Sequence, residues 1–270
     1  MSERCESQVD RLVELLATYD PDVELQPADE YQLMDVSNAA RHELPEFLRA
    51  WLLRAGGSHE GARLLDMSFD FMRLMSANSG WGRDKRGFLL VAVGVEFESY
   101  NCDYYYDLSR PSSPEADDFE VVSFPRDSES PPPPHQRDHL HSYYRIAPSL
   151  REHLGFAIFH QLRLERRAHV RDAIADPVRP SDVDAWRQRL EQAVLKSGFR
   201  PVDGFDGDWR FYDRDDASLE LTLVLDSGHR LVGISGDDPL ETERLTQRII
   251  EHMGMRLVPR PKTPMDADRS

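Results

Sequence analysis

A chain of 270 residues with a net charge of −16, 40% hydrophobic and 30% charged, has the apolar content for one large or two ordinary domains and is too apolar for bulk disorder. Its longest apolar run, residues 88–95, falls far short of the roughly 20 residues a membrane helix needs, and Cys5 and Cys102 alone make no disulfide framework. Residues 1–10 are polar and lack the apolar core of a secretory signal, so a reducing cytoplasm is the expected location; the acidic charge argues against nucleic acid or anionic membrane as partners.

The charge is unevenly spread. Residues 1–150 hold 27 acidic against 14 basic side chains, residues 151–200 hold 7 against 10, and residues 201–270 hold 15 against 9. The first region therefore carries most of the excess, a field that speeds association with a basic partner or serves only solubility.

In chain order, Val9, Leu12, Val13 and Leu16 recur at helical spacing before Asp20-Pro21, while residues 21–43 show weaker helical patterning. A clearer helix follows Leu44-Pro45, with Phe47, Leu48, Trp51 and Leu52 on one face and Gly56-Gly57 at its end. Short strands come next, at residues 88–95, 102–108 and 119–124, with a Pro/Ser/acidic turn at 109–118. Pro131 to Pro134 mark an exposed loop within 125–139. A helix over about 149–167 aligns Leu150, Leu154, Ile158 and Leu162; it ends in a basic segment bearing Arg163, Arg166, Arg167 and Arg171, followed by a linker at Asp176-Pro177 and Arg179-Pro180.

A second pattern, complete in itself, follows. Ser181 is the expected cap of an amphipathic helix carrying Val183, Trp186, Leu190, Ala193 and Val194, closed by Gly198. Strands are expected near 199–203, 209–213, 219–225 and 230–235, with the leucines of the third on one face, and a last helix spans 239–253. The fold class is thus α+β. A mixed domain with a mostly antiparallel central sheet flanked by helices occupies residues 1–175, a small α-β-β-β-β-α domain residues 176–258, and a disordered tail 259–270.

Four segments in order resemble the SUKH superfamily, the Smi/Knr-type group of bacterial toxin-immunity proteins and fungal cell-wall regulators, over residues 25–165. They are Glu43-Leu-Pro-Glu-Phe-Leu-Arg-Ala-Trp-Leu-Leu-Arg-Ala-Gly-Gly57, the strand at 88–95, Cys102-Asp-Tyr-Tyr-Tyr-Asp-Leu-Ser109, and Tyr144-Arg-Ile-Ala-Pro-Ser-Leu-Arg-Glu-His-Leu154. The family's Gly-Asp turn between two strands is replaced here by Glu96 to Asn101, and the Pro-rich insertion is longer than usual. The resemblance implies a helix-flanked sheet and a role in binding protein, with immunity to a cognate toxin or regulation of an endogenous partner as alternatives. The second domain resembles no family in this way.

Residue patterns for catalysis are weak. Gly233-Ile-Ser235-Gly236 lacks the spacing of a nucleophile elbow, and Cys102 beside Asp103 is placed to be a poor thiolate. His135, His139 and His141 match no zinc spacing, and Asp203, Asp206, Asp208, Asp213, Asp215 and Asp216 lack the frame of a calcium loop. No phosphate-cradling glycine motif occurs. Neither an enzyme nor a cofactor is therefore expected.

What remains is a candidate protein-binding face: Glu96, Glu98, Tyr100, Asp103, Tyr104, Tyr106, Asp107, Asp117, Asp118 and Glu120, tyrosines interleaved with carboxylates on adjoining strands. Tyrosine offers contact area with a polar tip, and carboxylates pair with Arg and Lys of a partner. The other reading packs alternate tyrosines inward and leaves the acids to solvate an edge.

Overall fold

The computed structural model describes residues 2–57, 63–64, 67–80, 87–94, 102–113, 118–125, 144–205, 207–224 and 227–258. It divides into two compact units, 1–158 and 159–270.

The first unit begins with α1 (Glu3–Tyr19), whose buried stripe is Cys5, Val9, Leu12 and Leu16, as the 3.6-residue period requires. A second helix, α2 (Glu30–Ala40), has a reciprocal capping box: the Gln32 N–H donates to Asp29 at 2.9 Å and the Asp29 N–H to the Gln32 side chain at 2.8 Å. Helix α3 (Glu46–Ala55) starts after Pro45 and buries Phe47, Leu48, Trp51 and Leu52. It packs on α1, and the Trp51 ring meets Phe69 edge-on at 5.7 Å. The Gly56-Gly57 pair is needed because the incoming chain crosses here. The Gly57 N–H donates to the Gln26 carbonyl at 2.7 Å, and a Cβ on Gly57 would lie 2.0 Å from the Pro27 oxygen.

Beyond α3, β1 (Arg63–Leu64), β2 (Met67–Ser68), α4 (Phe71–Gly80), β3 (Phe88–Gly94), β4 (Cys102–Ser113), β5 (Asp118–Pro125) and β6 (Tyr144–Ala147) follow in order. The six strands form one antiparallel meander in which every sequential pair is adjacent. Strand β4 is longer than expected: Pro111 and Ser113 pair with Phe119 and Asp118 across register shifts, so part of the expected 109–118 turn is bulged strand. Helix α5 (Leu150–Phe159) buries Leu150, Leu154 and Ile158.

The second unit opens on a π-helical turn, His160–Leu164, in which the Glu165 N–H reaches the His160 carbonyl at 2.8 Å. Then come β7 (His169–Ala175), α6 (Val183–Lys196), β8 (Arg200–Pro201), β9 (Arg210–Arg214), β10 (Ala217–Val224), β11 (His229–Gly236), α7 (Pro239–Met253) and β12 (Arg256–Val258). The strands pair antiparallel in the order β12-β7-β11-β10-β9-β8. Leu219, Leu221, Val232, Ile234, Ala173 and Ala175 cover one sheet face and pack against Trp186, Leu190 and Val194 of α6 and Leu245 and Ile249 of α7.

The α+β class stands, and the expected α-β-β-β-β-α core is present as α6 to α7. The domain boundary is corrected. It lies at 158/159 rather than 175, because β7 is hydrogen-bonded along its length to β11, and β12 adds to its far edge. The expected linker is thus the β7–α6 connection. A short 3-10 turn, Pro180–Asp182, precedes α6, whose cap is Asp182 rather than Ser181. The tail 259–270 and the Pro-rich loop at 126–139 lie outside the described residues.

Candidate functional site

Of the residues expected to form a Tyr/carboxylate recognition face, Glu96, Glu98, Tyr100 and Asp117 lie outside the described residues. The other six are all buried: Asp103, Tyr104, Tyr106, Asp107, Asp118 and Glu120. They do not share one face, since Tyr104 and Tyr106 alternate with Asp103 and Asp107 along β4, and all are interior, which corrects the expected exposed face. Tyr104 lies against the buried His153 ring of α5, with centroids 5.6 Å apart, and Tyr106 lies against Phe119. Asp103 accepts from the Gly94 N–H at 3.1 Å.

The carboxylates are buried because each has an internal partner. Asp118, at the start of β5, accepts the Leu150 and Arg151 N–H groups at 3.1 Å each, satisfying donors that the first turn of α5 leaves open. Burial raises the Asp118 pKa against the pull of the nearby Tyr106 hydroxyl and of these N–H groups. Asp107 and Glu120 face each other across β4 and β5, an arrangement that would repel if bare. Asp107 accepts from the Ser109 hydroxyl at 2.6 Å, while Glu120 takes Arg145 at 2.7 Å and Arg110 at 3.2 Å. The strand tyrosines pack inward, one half of the alternative reading; the acids are paired inside instead of solvating an edge.

In the second unit the sheet face opposite α6 and α7 carries a polar cluster beside the buried Phe211. Glu220 projects from β10 into space left by Gly233 on β11; a Cβ there would come 2.9 Å from its carboxylate. His160 bonds Glu220 at 2.8 Å through Nδ1 and Glu165 at 3.2 Å through Nε2. Burial alone would lower the His160 pKa, but the two carboxylates outweigh it and raise it to about 10, while burial raises that of Glu220. Beside this triad Arg163 grips Asp213 at 2.9 Å, and the buried Arg167 donates to Ser218 at 2.9 Å and to Asp237 at 2.7 Å. These contacts account for the basic segment: Arg163 and Arg167 tie the chain after α5 onto β9–β11. Of the aspartates weighed for calcium, Asp208 pairs with Arg187 and Arg230, Asp213 with Arg163, and Asp216 with Arg214. Among the described residues no group of three His, Cys, Asp or Glu converges to hold a metal ion. Ser235 is fully buried within β11.

A surface feature that sequence reasoning did not single out lies on the first unit. Leu33 and Val36 bury one face of α2, yet Tyr31 and Met34 of the same helix are 77% and 53% exposed. They sit three residues apart, hence on adjoining turns of one face, and line a groove of about 490 Å³ with Leu44, Glu43, Ser37 and Arg49. Glu30 on the rim is ion-paired with Arg49. The usable signal was Asp29-x-x-Gln32, a capping box that fixes the start of α2 and with it the helical phase that sets Tyr31 and Met34 off the face of Leu33 and Val36. Among the described residues no helix is long and apolar enough to cross a membrane. No protein-family model matches the chain, and no curated protein matches it.

Proposed function

We propose that the chain is a non-catalytic protein-binding module of the immunity type, which neutralises a cognate basic, nuclease-like toxin in the cytoplasm by forming a stoichiometric complex. The observation that carries this reading is the division of charge between the units. Residues 1–158 hold 28 acidic against 15 basic side chains, and residues 159–270 hold 21 against 18. The buried acids Asp107, Asp118 and Glu120 are held by arginine, hydroxyl or backbone donors, so the first unit's excess is carried by its other carboxylates. Such a field steers a basic protein to the acidic unit and opposes nucleic acid. The SUKH resemblance covers this same unit and supports the immunity role.

The test is titration of the chain against a secreted toxin encoded beside its gene. Toxin activity is expected to fall linearly to zero at one equivalent, and the association rate to drop about tenfold or more between low and high salt. An association rate indifferent to salt, or a toxin left active at excess, refutes the proposal. Binding of an endogenous protein without protection moves the function to a scaffold or regulator.

A further inference from the structure

We infer that the groove between α2 and the start of α3 is the docking site of a basic amphipathic segment of the partner. One large apolar side chain would seat against Tyr31 and Met34, with flanking Lys or Arg side chains set against the surrounding acids. The inference rests on the reading of the first unit as a binder of basic protein, and it names the surface and the chemistry of what is bound.

Three observations converge on this groove. Tyr31 and Met34 are large, exposed and side by side, whereas Leu195, Leu240 and Leu257, exposed leucines among the described residues of the second unit, lie on three different elements. Single exposed apolar residues need no explanation; a pair lining one groove with Leu44 is an apolar patch awaiting cover. The two residue types also suit recognition: tyrosine gives rigid area with a polar tip, and methionine adapts its shape to the side chain it meets.

The second observation is charge. Residues 20–43 contain seven carboxylates and a single base, Arg41. Asp22, Glu24, Asp29, Glu30, Asp35 and Glu43 are exposed. Asp29 caps α2 and Glu30 is paired with Arg49; of the remaining acids, Glu43 lines the groove itself and Asp35 follows Met34 directly in sequence. A partner that is apolar alone would leave these charges to be desolvated against nothing. One carrying Lys or Arg next to its anchor satisfies them and keeps their aliphatic stems on Tyr31.

The third is rigidity. The groove is built on a capped helix and on the Leu44-Pro45 entry to α3, whose Phe47 and Leu48 are fully buried, so its walls are preorganised. A preformed groove of this kind concentrates affinity in the one or two side chains that seat in it.

The experiment selects a phage-displayed library of random 16-residue peptides on the full chain, then measures the enriched peptides by titration against variants. Enriched sequences are expected to carry one large apolar residue with Lys or Arg within four positions. Binding should fall at least about tenfold in Tyr31→Ser/Met34→Ser, whose exposed positions leave the fold intact, as circular dichroism would show. Asp35→Lys/Glu43→Lys should weaken binding at low salt and leave it nearly unchanged at 0.5 M salt. Enriched peptides that are acidic or merely apolar, an absence of enrichment, or equal binding to the Tyr31→Ser/Met34→Ser variant overturns the inference. A toxin that binds with steep salt dependence but ignores that variant removes the groove and leaves the proposed function. Basic peptides that dock in the groove of a chain giving no protection do the reverse.

Discussion

His153 offers a direct test of the interior of the first unit. It lies on α5, buried to 4% exposure, with neither ring nitrogen hydrogen-bonded among the described residues. Burial holds its pKa down from 6.5 to about 4, because the imidazolium has nothing to replace its water. The unfolded chain therefore binds a proton between these values that the folded chain refuses. The resulting stability is complete above pH 6.5 and is lost as pH falls toward 4. Over the whole window the loss is about 3 kcal/mol, of which about 2 kcal/mol falls between pH 7 and 5, before most carboxylates titrate. Replacing His153 with Leu keeps a similar volume against Tyr104 and removes the proton site. The difference between wild type and His153→Leu should then widen in favour of the variant by about 2 kcal/mol on going from pH 7 to pH 5. Urea unfolding read by hydrogen exchange of β3–β5 peptides restricts the measurement to this unit, and comparison with the variant cancels the other histidines. An NMR titration that places His153 near 6.5, or parallel pH profiles for the two proteins, would refute the reasoning.

Gly57→Ala should destabilise the first unit by about 2 kcal/mol, seen as a lowered urea midpoint, since the added methyl meets the Pro27 carbonyl and not a flexible side chain. Arg145→Met leaves Glu120 with Arg110 as its one arginine among the described residues and should cost about 2 kcal/mol, most of it recovered in the double variant with Glu120→Gln; strict additivity in that cycle counts against the pairing. The sign reverses in the second unit. His160 has a raised pKa, so its stabilisation is full below pH 6.5 and is lost as pH rises toward 10; His160→Gln should be most harmful at pH 6 and least at pH 10 by thermal melts.

Helix α7 was legible almost to the residue because every local signal agrees: Asp238 caps it, Pro239 opens it, Leu245 and Ile249 face inward, and Gly254 ends it in the left-handed region. Strand β7 was not legible. Its inward residues are the small Ala173 and Ala175, and its Arg171 and Asp172 read as surface, so neither periodicity nor bulk marks it. The run Asp103 to Asp107 was rightly placed on a strand, but its exposure was misjudged. Five consecutive buried residues leave no alternation, and Glu120 is buried with the help of Arg145, which arrives from a strand 25 positions onward. Pairings of that range are set by topology. The groove was missed for a related reason: a helix with apolar residues on two faces looks merely irregular until the fold shows which face is already covered.

The two-faced sheet of the second unit has a consequence for how that unit reaches its native state. Leu219 and Leu221 point to the helices, while Ser218 and Glu220, alternating with them, point to Arg167 and His160. Sliding β10 by one residue would drive the Glu220 carboxylate into the apolar layer under the helices and turn both leucines toward arginine and histidine. An alternating strand with a bare polar face pays for such a slip on one side; this one is penalised on both. Misregistered pairings are therefore poor competitors, and refolding of this unit should proceed without a trapped β-sheet intermediate.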